Sequence, residues 1–186
     1  MHRPQPLYII TAIFGFLVIA ISFWQLAKTG LVSADVIAAE QAQRPFINIA
    51  DFEPGEPEFV LINGLQIIVW RRDDADKERA ALYNNPDAWR HQHSNVLGQS
   101  ETVFADDANI TLDHEWFFGI AEFRNPYSYI ILESGDFDGF FEGRYARHYD
   151  LSGRIRKGFT ADNLTIVPAA YAADGQRIQL FLNGIP

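Results

Sequence analysis

This chain of 186 residues carries 24 acidic against 15 basic side chains, a formal net charge of −9. That balance argues against nucleic acid and against adsorption to anionic lipid, because both require cationic surface. There is no cysteine, which excludes disulfides, thiolate nucleophiles and thiolate metal sites but leaves an oxidising compartment open.

The run Leu7 to Leu26, LYIITAIFGFLVIAISFWQL, contains no charged side chain. It matches the length of about 20 residues that a helix needs to cross a hydrocarbon core of roughly 30 Å. A cleaved signal peptide is the rival reading, with Val36-Ile37-Ala38 as its cleavage site. Its apolar region, normally about 7 to 15 residues, would be shorter than this run. Residues 1–30 are therefore read as a transmembrane anchor, with Arg3 on one side and Lys28 on the other, so charge does not set the orientation. Residues 31–45 are small and Ala-rich and read as a tether. Residues 46–186 read as one domain, of a size that buries a sufficient core by itself.

Within that domain Phe46, Asn48 and Ala50 alternate with Ile47, Ile49 and Asp51, a short strand pattern that ends in the turn residues Glu53 to Glu56. Glu58–Ile62 and Leu65–Trp70 are apolar runs around Asn63-Gly64, a hairpin signal because both turn residues tolerate positive φ. Asp73 to Tyr83 has acidic residues first, helix formers next and Asn84-Asn85-Pro86 as a stop, so it predicts one short helix. Asn85 to Asp113 shows little periodicity and reads as a solvated loop. His91 and His93 would share a face if that loop were extended, but no carboxylate or third histidine stands at ligand-like spacing.

Glu115–Glu122 and Tyr129–Leu132 predict strands across the loop FRNPYS, and Phe140-Phe141 a third, shorter one. Leu164–Val167 and Ile178–Leu182 flank the Asp174-Gly175 turn and predict a closing antiparallel pair. The fold class is mainly β: an N-terminal transmembrane helix plus a small antiparallel β-sandwich with one short helix. Two chemical readings are weak. His148, Asp150 and Ser152 lie close in sequence, but a triad is recognised by geometry. The DFDG stretch, Asp136 to Gly139, lacks the remaining positions of an EF-hand loop.

Several segments together resemble the Rieske iron–sulfur subunit of quinol:cytochrome c reductases. SADVIAAEQAQ resembles that family's hinge, and NIADFEPGE with the hairpin ending in WRR resembles the entry to its head. ESGDF, Glu133 to Phe137, and HYDLSGRIRKG, His148 to Gly158, resemble the segments that frame its cluster site. A Rieske centre needs two thiolates on one iron and two imidazoles on the other. In the register these segments set, the first ligand box falls on Phe123, Arg124, Asn125, Pro126, Tyr127 and Ser128. Phe123 then stands for a cysteine ligand, Asn125 for a histidine ligand and Ser128 for a disulfide cysteine. The second box falls on Glu142 to Arg147, so that Glu142 stands for a cysteine ligand, Arg144 for a disulfide cysteine and Tyr145 for a histidine ligand. The family's proline-rich loop is replaced by Phe159-Thr160-Ala161.

The resemblance thus implies a Rieske-like β domain with every ligand position changed, no cofactor, no metal and no enzymatic activity of its own. Phe123 and Tyr145 are expected to fill the vacated volume, and Glu142 or Glu122 to pair with Arg144, offsetting a lost disulfide worth about 2–5 kcal/mol. It further implies an accessory subunit of a respiratory complex at a bacterial inner membrane, single-pass, with the β domain in the periplasm. The expected contact surface comprises Phe123, Arg124, Asn125, Pro126, Tyr127, Glu142, Arg144, Tyr145 and Arg147, because arginine and aromatic residues are enriched at interface hot spots. Its partners would be cytochrome b, cytochrome c or oxidase subunits. The alternative is a periplasmic protein- or ligand-binding module outside respiration.

Overall fold

A computed structural model describes residues 14–22, 24, 44–121, 129–159 and 162–182. The chain divides into two compact units, Met1–Gln41 and Ala42–Pro186. In the first, residues 14–22 are helical and expose Phe14, Phe16, Leu17, Val18, Ile19 and Ile21. No helix among the described residues is long and apolar enough to cross a membrane. Most of the expected anchor and all of residues 31–43 lie outside the described residues.

The second unit is built on a four-stranded sheet of order β2-β3-β7-β6, with β2 Glu58–Ile62, β3 Leu65–Arg71, β6 Thr111–Leu112 and β7 Trp116–Ile120. The β2–β3 hairpin turns at Asn63 (φ 52°) and Gly64 (φ 80°), as expected for a two-residue turn that matches strand twist. Within β3, Ile67 to Trp70 is an unbroken apolar run because both faces of the strand are covered there. Ile68 and Trp70 join Phe117, Phe140, Tyr149, Leu151 and Ile155 in one cluster, whereas Ile67 and Val69 join Trp116, Phe118, Ile47, Ile178 and Leu180 in another.

The first cluster is roofed by the sheet β11-β10-β9-β8, formed from β8 Ile130–Leu132, β9 Asp138–Glu142, β10 Arg147–Asp150 and β11 Ile155–Lys157. The second is closed by β1 Phe46–Asn48, β13 Arg177–Leu180 and β12 Ala169–Tyr171, in the order β1-β13-β12. Three of the four sheets among the described residues thus take the place of the expected sandwich, with the β2–β3 sheet between the other two. Edge-on aromatic contacts tie the layers together, Trp70 to Phe140 at 5.6 Å and Phe52 to Trp116 at 6.0 Å.

Helix α1, Asp74–Leu82, forms where the acidic start and the Asn-Pro stop place it. Its cap is a reciprocal pair, in which the Asp73 side chain accepts from the Asp76 N–H at 2.7 Å and Asp76 accepts from the Asp73 N–H at 3.1 Å. Asp76 also accepts from Trp70 Nε1 at 3.1 Å, which docks the helix on the sheet.

Three expectations need correction. The strand expected to reach Asp51 stops at Asn48, and Ile49–Asp51 is a 3-10 turn. Ile49 N–H has moved to Gln176 O, and Asn48 Nδ2 donates to Asp51 at 3.0 Å. The closing pair is β12 with β13, not Leu164–Val167 with Ile178–Leu182. Ile120 N–H donates to Thr165 O, Val167 N–H to Phe118 O and Leu97 N–H to Ile166 O, so the 164–167 backbone is already committed on both sides.

Asn85 to Asp113 is not a solvated loop. It contains the hairpin of β4 His93–Asn95 with β5 Thr102–Phe104, and the helical turn α2, Asp107–Ile110. Trp89, Ser94, Ala105 and Ile110 are buried. Beside that apolar burial stands a polar anchor: Asn163 Nδ2 donates to the carbonyls of His91 (3.2 Å) and His93 (3.0 Å). Such an anchor leaves no hydrophobic period to read.

Candidate functional site

Two polar constructions occupy the β8–β11 layer. The first is the Asp150–Lys157 segment that closes the sheet. Asp150 and Arg154 are both fully buried and paired, Arg154 Nε donating to Asp150 Oδ2 at 2.8 Å. Asp150 Oδ1 also accepts the backbone N–H groups of Ser152 and Arg154, and Arg156 reaches Oδ2 at 3.1 Å. The Arg154 guanidinium lies 4.6 Å from the Trp89 ring and donates to Asn84 Oδ1 and Ala105 O. The Asn85–Asp113 segment is thereby fastened to the sheet.

Beside it, Arg72 donates to Asp107 (2.7 Å), Leu151 O (2.7 Å) and Ser152 Oγ (3.1 Å), while Ser152 Oγ donates to Asp107 at 2.8 Å. Burial alone would push the Asp107 carboxyl up. The Arg72 charge and the hydrogen bonds from Arg72, His114 and Ser152 outweigh it and hold the group below its ordinary value. His148, Asp150 and Ser152 do not converge as a triad. Ser152 Oγ faces Asp107, and His148 Nδ1 accepts the Asp136 N–H at 2.9 Å. The DFDG carboxylates likewise point to protein partners, Asp136 to Lys157 at 2.8 Å and Asp138 to Tyr83 Oη at 3.2 Å.

The second construction is the β9–β10 turn, Glu142 to Arg147, at the tip of the layer. Glu142 is fully buried. Its Oε1 accepts from the Arg144 N–H at 2.9 Å and its Oε2 from the Tyr145 N–H at 3.1 Å, so one carboxylate closes the turn. Arg147 Nε stands 3.8 Å from the same carboxylate and donates to Phe159 O at 3.2 Å. The Tyr145 ring has the Arg147 guanidinium at 4.6 Å and that of Arg144 at 5.2 Å from its centroid.

Two glycines permit this packing. A Cβ on Gly143 would meet the Tyr129 ring at 2.4 Å, and one on Gly158 would meet Ala146 O at 2.6 Å. Behind the turn Tyr149 is buried, and burial above all pushes its phenol up to about 12. The Glu142 charge adds to that shift, and Arg147 opposes it.

Four of the expected contact residues, Glu142, Arg144, Tyr145 and Arg147, are thus brought together. Phe123, Arg124, Asn125, Pro126 and Tyr127 lie outside the described residues, as does Glu122. Tyr145 is 37% exposed, and the loop that would bound the expected volume together with this turn lies outside the described residues. The buried group is Glu142, whose neighbouring cation is Arg147 and whose bond to Arg144 is through that residue's backbone. Sequence reasoning missed Arg90, whose Nη1 donates to Gly158 O at 2.6 Å and so stands beside the same turn. Nothing in its own sequence surroundings announces that placement.

Three antiparallel layers, with an outer sheet that presents one charged, aromatic turn at its tip, define a small β head domain. No protein-family profile matches the chain. The ubiquinol–cytochrome c reductase iron–sulfur subunit of Cereibacter sphaeroides is 34% identical over 184 residues, spanning 96% of this chain and 94% of that protein. The same subunit of Rhodobacter capsulatus is 28% identical, over 91% of this chain and 90% of its own length. The mitochondrial Rieske subunit of the cytochrome b-c1 complex of Saccharomyces cerevisiae is 30% identical, over 78% of this chain and 60% of its own. The chain belongs to the family of Rieske iron–sulfur subunits of ubiquinol–cytochrome c reductase.

That family implies a cluster held by two thiolates and two imidazoles. The residues here do not fit it. The chain has no cysteine. Glu142, which the expected register sets against a thiolate ligand, has both carboxylate oxygens engaged by backbone N–H groups. The ring of Tyr145, which the expected register sets against an imidazole ligand, lies against two guanidinium groups.

Proposed function

We propose that this chain is a cluster-free accessory subunit of a respiratory quinol:cytochrome c reductase or of an oxidase associated with it, contributing contacts rather than electron transfer. The observation that carries the reading is Glu142. A buried carboxylate holds by hydrogen bonds the turn that its relatives are expected to organise around metal, so the fold persists with donor chemistry of another kind. The apolar run Leu7 to Leu26 supports single-pass anchoring in a bacterial inner membrane with the head on the periplasmic side. Family membership supports partners among the cytochrome b, cytochrome c and oxidase subunits.

Two measurements test this. Metal analysis and low-temperature electron paramagnetic resonance of the purified protein should find no stoichiometric iron and no cluster signal. Stoichiometric iron or copper would overturn the cluster-free reading. A mild-detergent pull-down from native membranes should recover cytochrome b or oxidase subunits in near-equal amounts. Finding none while those complexes remain intact would exclude the accessory role.

A further inference from the structure

A cavity of about 210 Å³ opens where the two apolar clusters meet. Ile110 and Ile166 reach it from the first cluster, Phe118 and Val167 from the second, and all four are buried. Its walls come from α2, β6, the β4–β5 hairpin and the 166–169 backbone. That backbone is hydrogen-bonded on both sides, Leu97 N–H donating to Ile166 O at 2.8 Å and Val167 N–H to Phe118 O at 2.9 Å. Those bonds fix the floor, so the space is preformed.

The geometry points to a binding site for a small, uncharged, largely apolar molecule with one hydroxyl group, of the size and class of a substituted phenol. This site is independent of the accessory-subunit reading. Three features select that ligand. An apolar cavity of about 150 Å³ accepts benzene, so this one has room for a ring and a substituent, and it falls short of the roughly 300–1,000 Å³ that drug-sized ligands occupy. None of the described residues that line it is charged, in a chain with 24 acidic and 15 basic side chains, so an ion would be desolvated there without a counter-charge. Gln99 and Asn109 line the cavity yet are exposed, which places them at its mouth. Among the described residues neither side-chain amide makes a hydrogen bond, whereas Thr111 Oγ1 is committed to Asp107 O at 2.5 Å. A hydroxyl donates to an amide oxygen and accepts from an amide N–H, which a carbonyl group cannot do. Water over the apolar floor lacks such partners, and a ring that displaces it gains affinity.

The test is a fluorine NMR titration of the full chain in lipid nanodiscs, with empty nanodiscs as the blank. The probes are para-fluorophenol, para-fluorotoluene and the anion para-fluorobenzoate, which share a ring and differ in one group. Wild type is compared with Ala169→Leu, which fills the cavity from its wall, and with Gln99→Ala/Asn109→Ala, which removes the amides at its mouth. Circular dichroism and thermal melting establish that each variant is folded. Val103→Phe fills the cavity from β5 and keeps the test open should Ala169→Leu misfold.

Saturable binding of para-fluorophenol to wild type, weakened roughly tenfold or more by either filling substitution, is the expected result. The amide double variant should lose roughly tenfold for the phenol and leave para-fluorotoluene unchanged, as the loss of a hydrogen bond predicts. Para-fluorobenzoate should bind at least about tenfold more weakly than the phenol. Absence of binding above the blank, or binding that both filling variants retain, would overturn the site. Equal binding of the anion, or a phenol affinity that the amide variant keeps, would overturn the ligand class.

Discussion

The two polar constructions of the β8–β11 layer solve the same problem, a buried carboxylate, with different reach. Asp150 is paired with Arg154 and Arg156, and through Arg154 it is linked to Asn84, Ala105 and Trp89, residues far away in sequence. Glu142 is satisfied within its own turn, by two backbone N–H groups and the nearby Arg147. The first network clamps one segment of the domain to another, whereas the second shapes a single turn. This difference gives a physical reason for what the chain shares with its family's motif and what it does not. HYDLSGRIRKG carries the long-range network. Glu142 serves its own turn alone, and a local acceptor suffices to close it.

The comparison is broken most directly at Asp150. Asp150→Asn should destabilise the domain by about 3–5 kcal/mol in urea unfolding, because it leaves buried Arg154 uncompensated. A cost near that of a surface substitution would mean that the network does not hold the segments together.

Raising the pH tests the boundary between the two regions, where Tyr149 lies. Its folded-state value, about 12, exceeds the unfolded value of about 10. Tyrosine therefore ionises first in the unfolded chain, which then binds fewer protons than the native state. Stability should fall between those two values, by about 2–3 kcal/mol in total. A phenolate absorbance step at high pH that disappears in Tyr149→Phe would identify the group.

Glu142→Gln should cost less than Asp150→Asn, about 1–3 kcal/mol, since one amide oxygen can retain only part of the two-donor arrangement. Its effect should be confined to exchange of the Arg144 and Tyr145 amides. Protection lost across the Asn85–Asp113 segment would show that Glu142 also acts at long range, and would erase the distinction.

The smallest effect is expected at low pH. The Asp107 carboxyl is held below its ordinary value in the folded state, so its contribution is present above the unfolded value and is lost as pH falls through the folded one. His114→Ala removes one of the hydrogen bonds that lower it. The acid unfolding midpoint of that variant should move slightly upward, measured by fluorescence against pH.

Much of the fold was legible because its signals are local. Asn63-Gly64 placed a hairpin, the acidic start and Asn-Pro stop placed α1, and apolar runs marked β3, β7 and β8. Asn85–Asp113 was misread because its attachment depends on Asn163, Arg72 and Arg154, whose roles have no sequence period. Of the candidate site, the box register identified Glu142, Arg144, Tyr145 and Arg147 as one group, but not that Glu142 is its fully buried member. Which of two adjacent polar groups is buried depends on where the turn's N–H groups point, and residue type alone does not carry that.

By itself, then, the sequence determined the antiparallel β class, the family and the lack of thiolate ligands, because turn chemistry, alternation and composition act over a few residues. Only the tertiary structure decided that three sheets stack rather than two, that Arg90 joins the tip, and that Glu142 closes the turn from inside. Each of these depends on groups distant in sequence or on backbone donors whose direction exists only once the chain has folded.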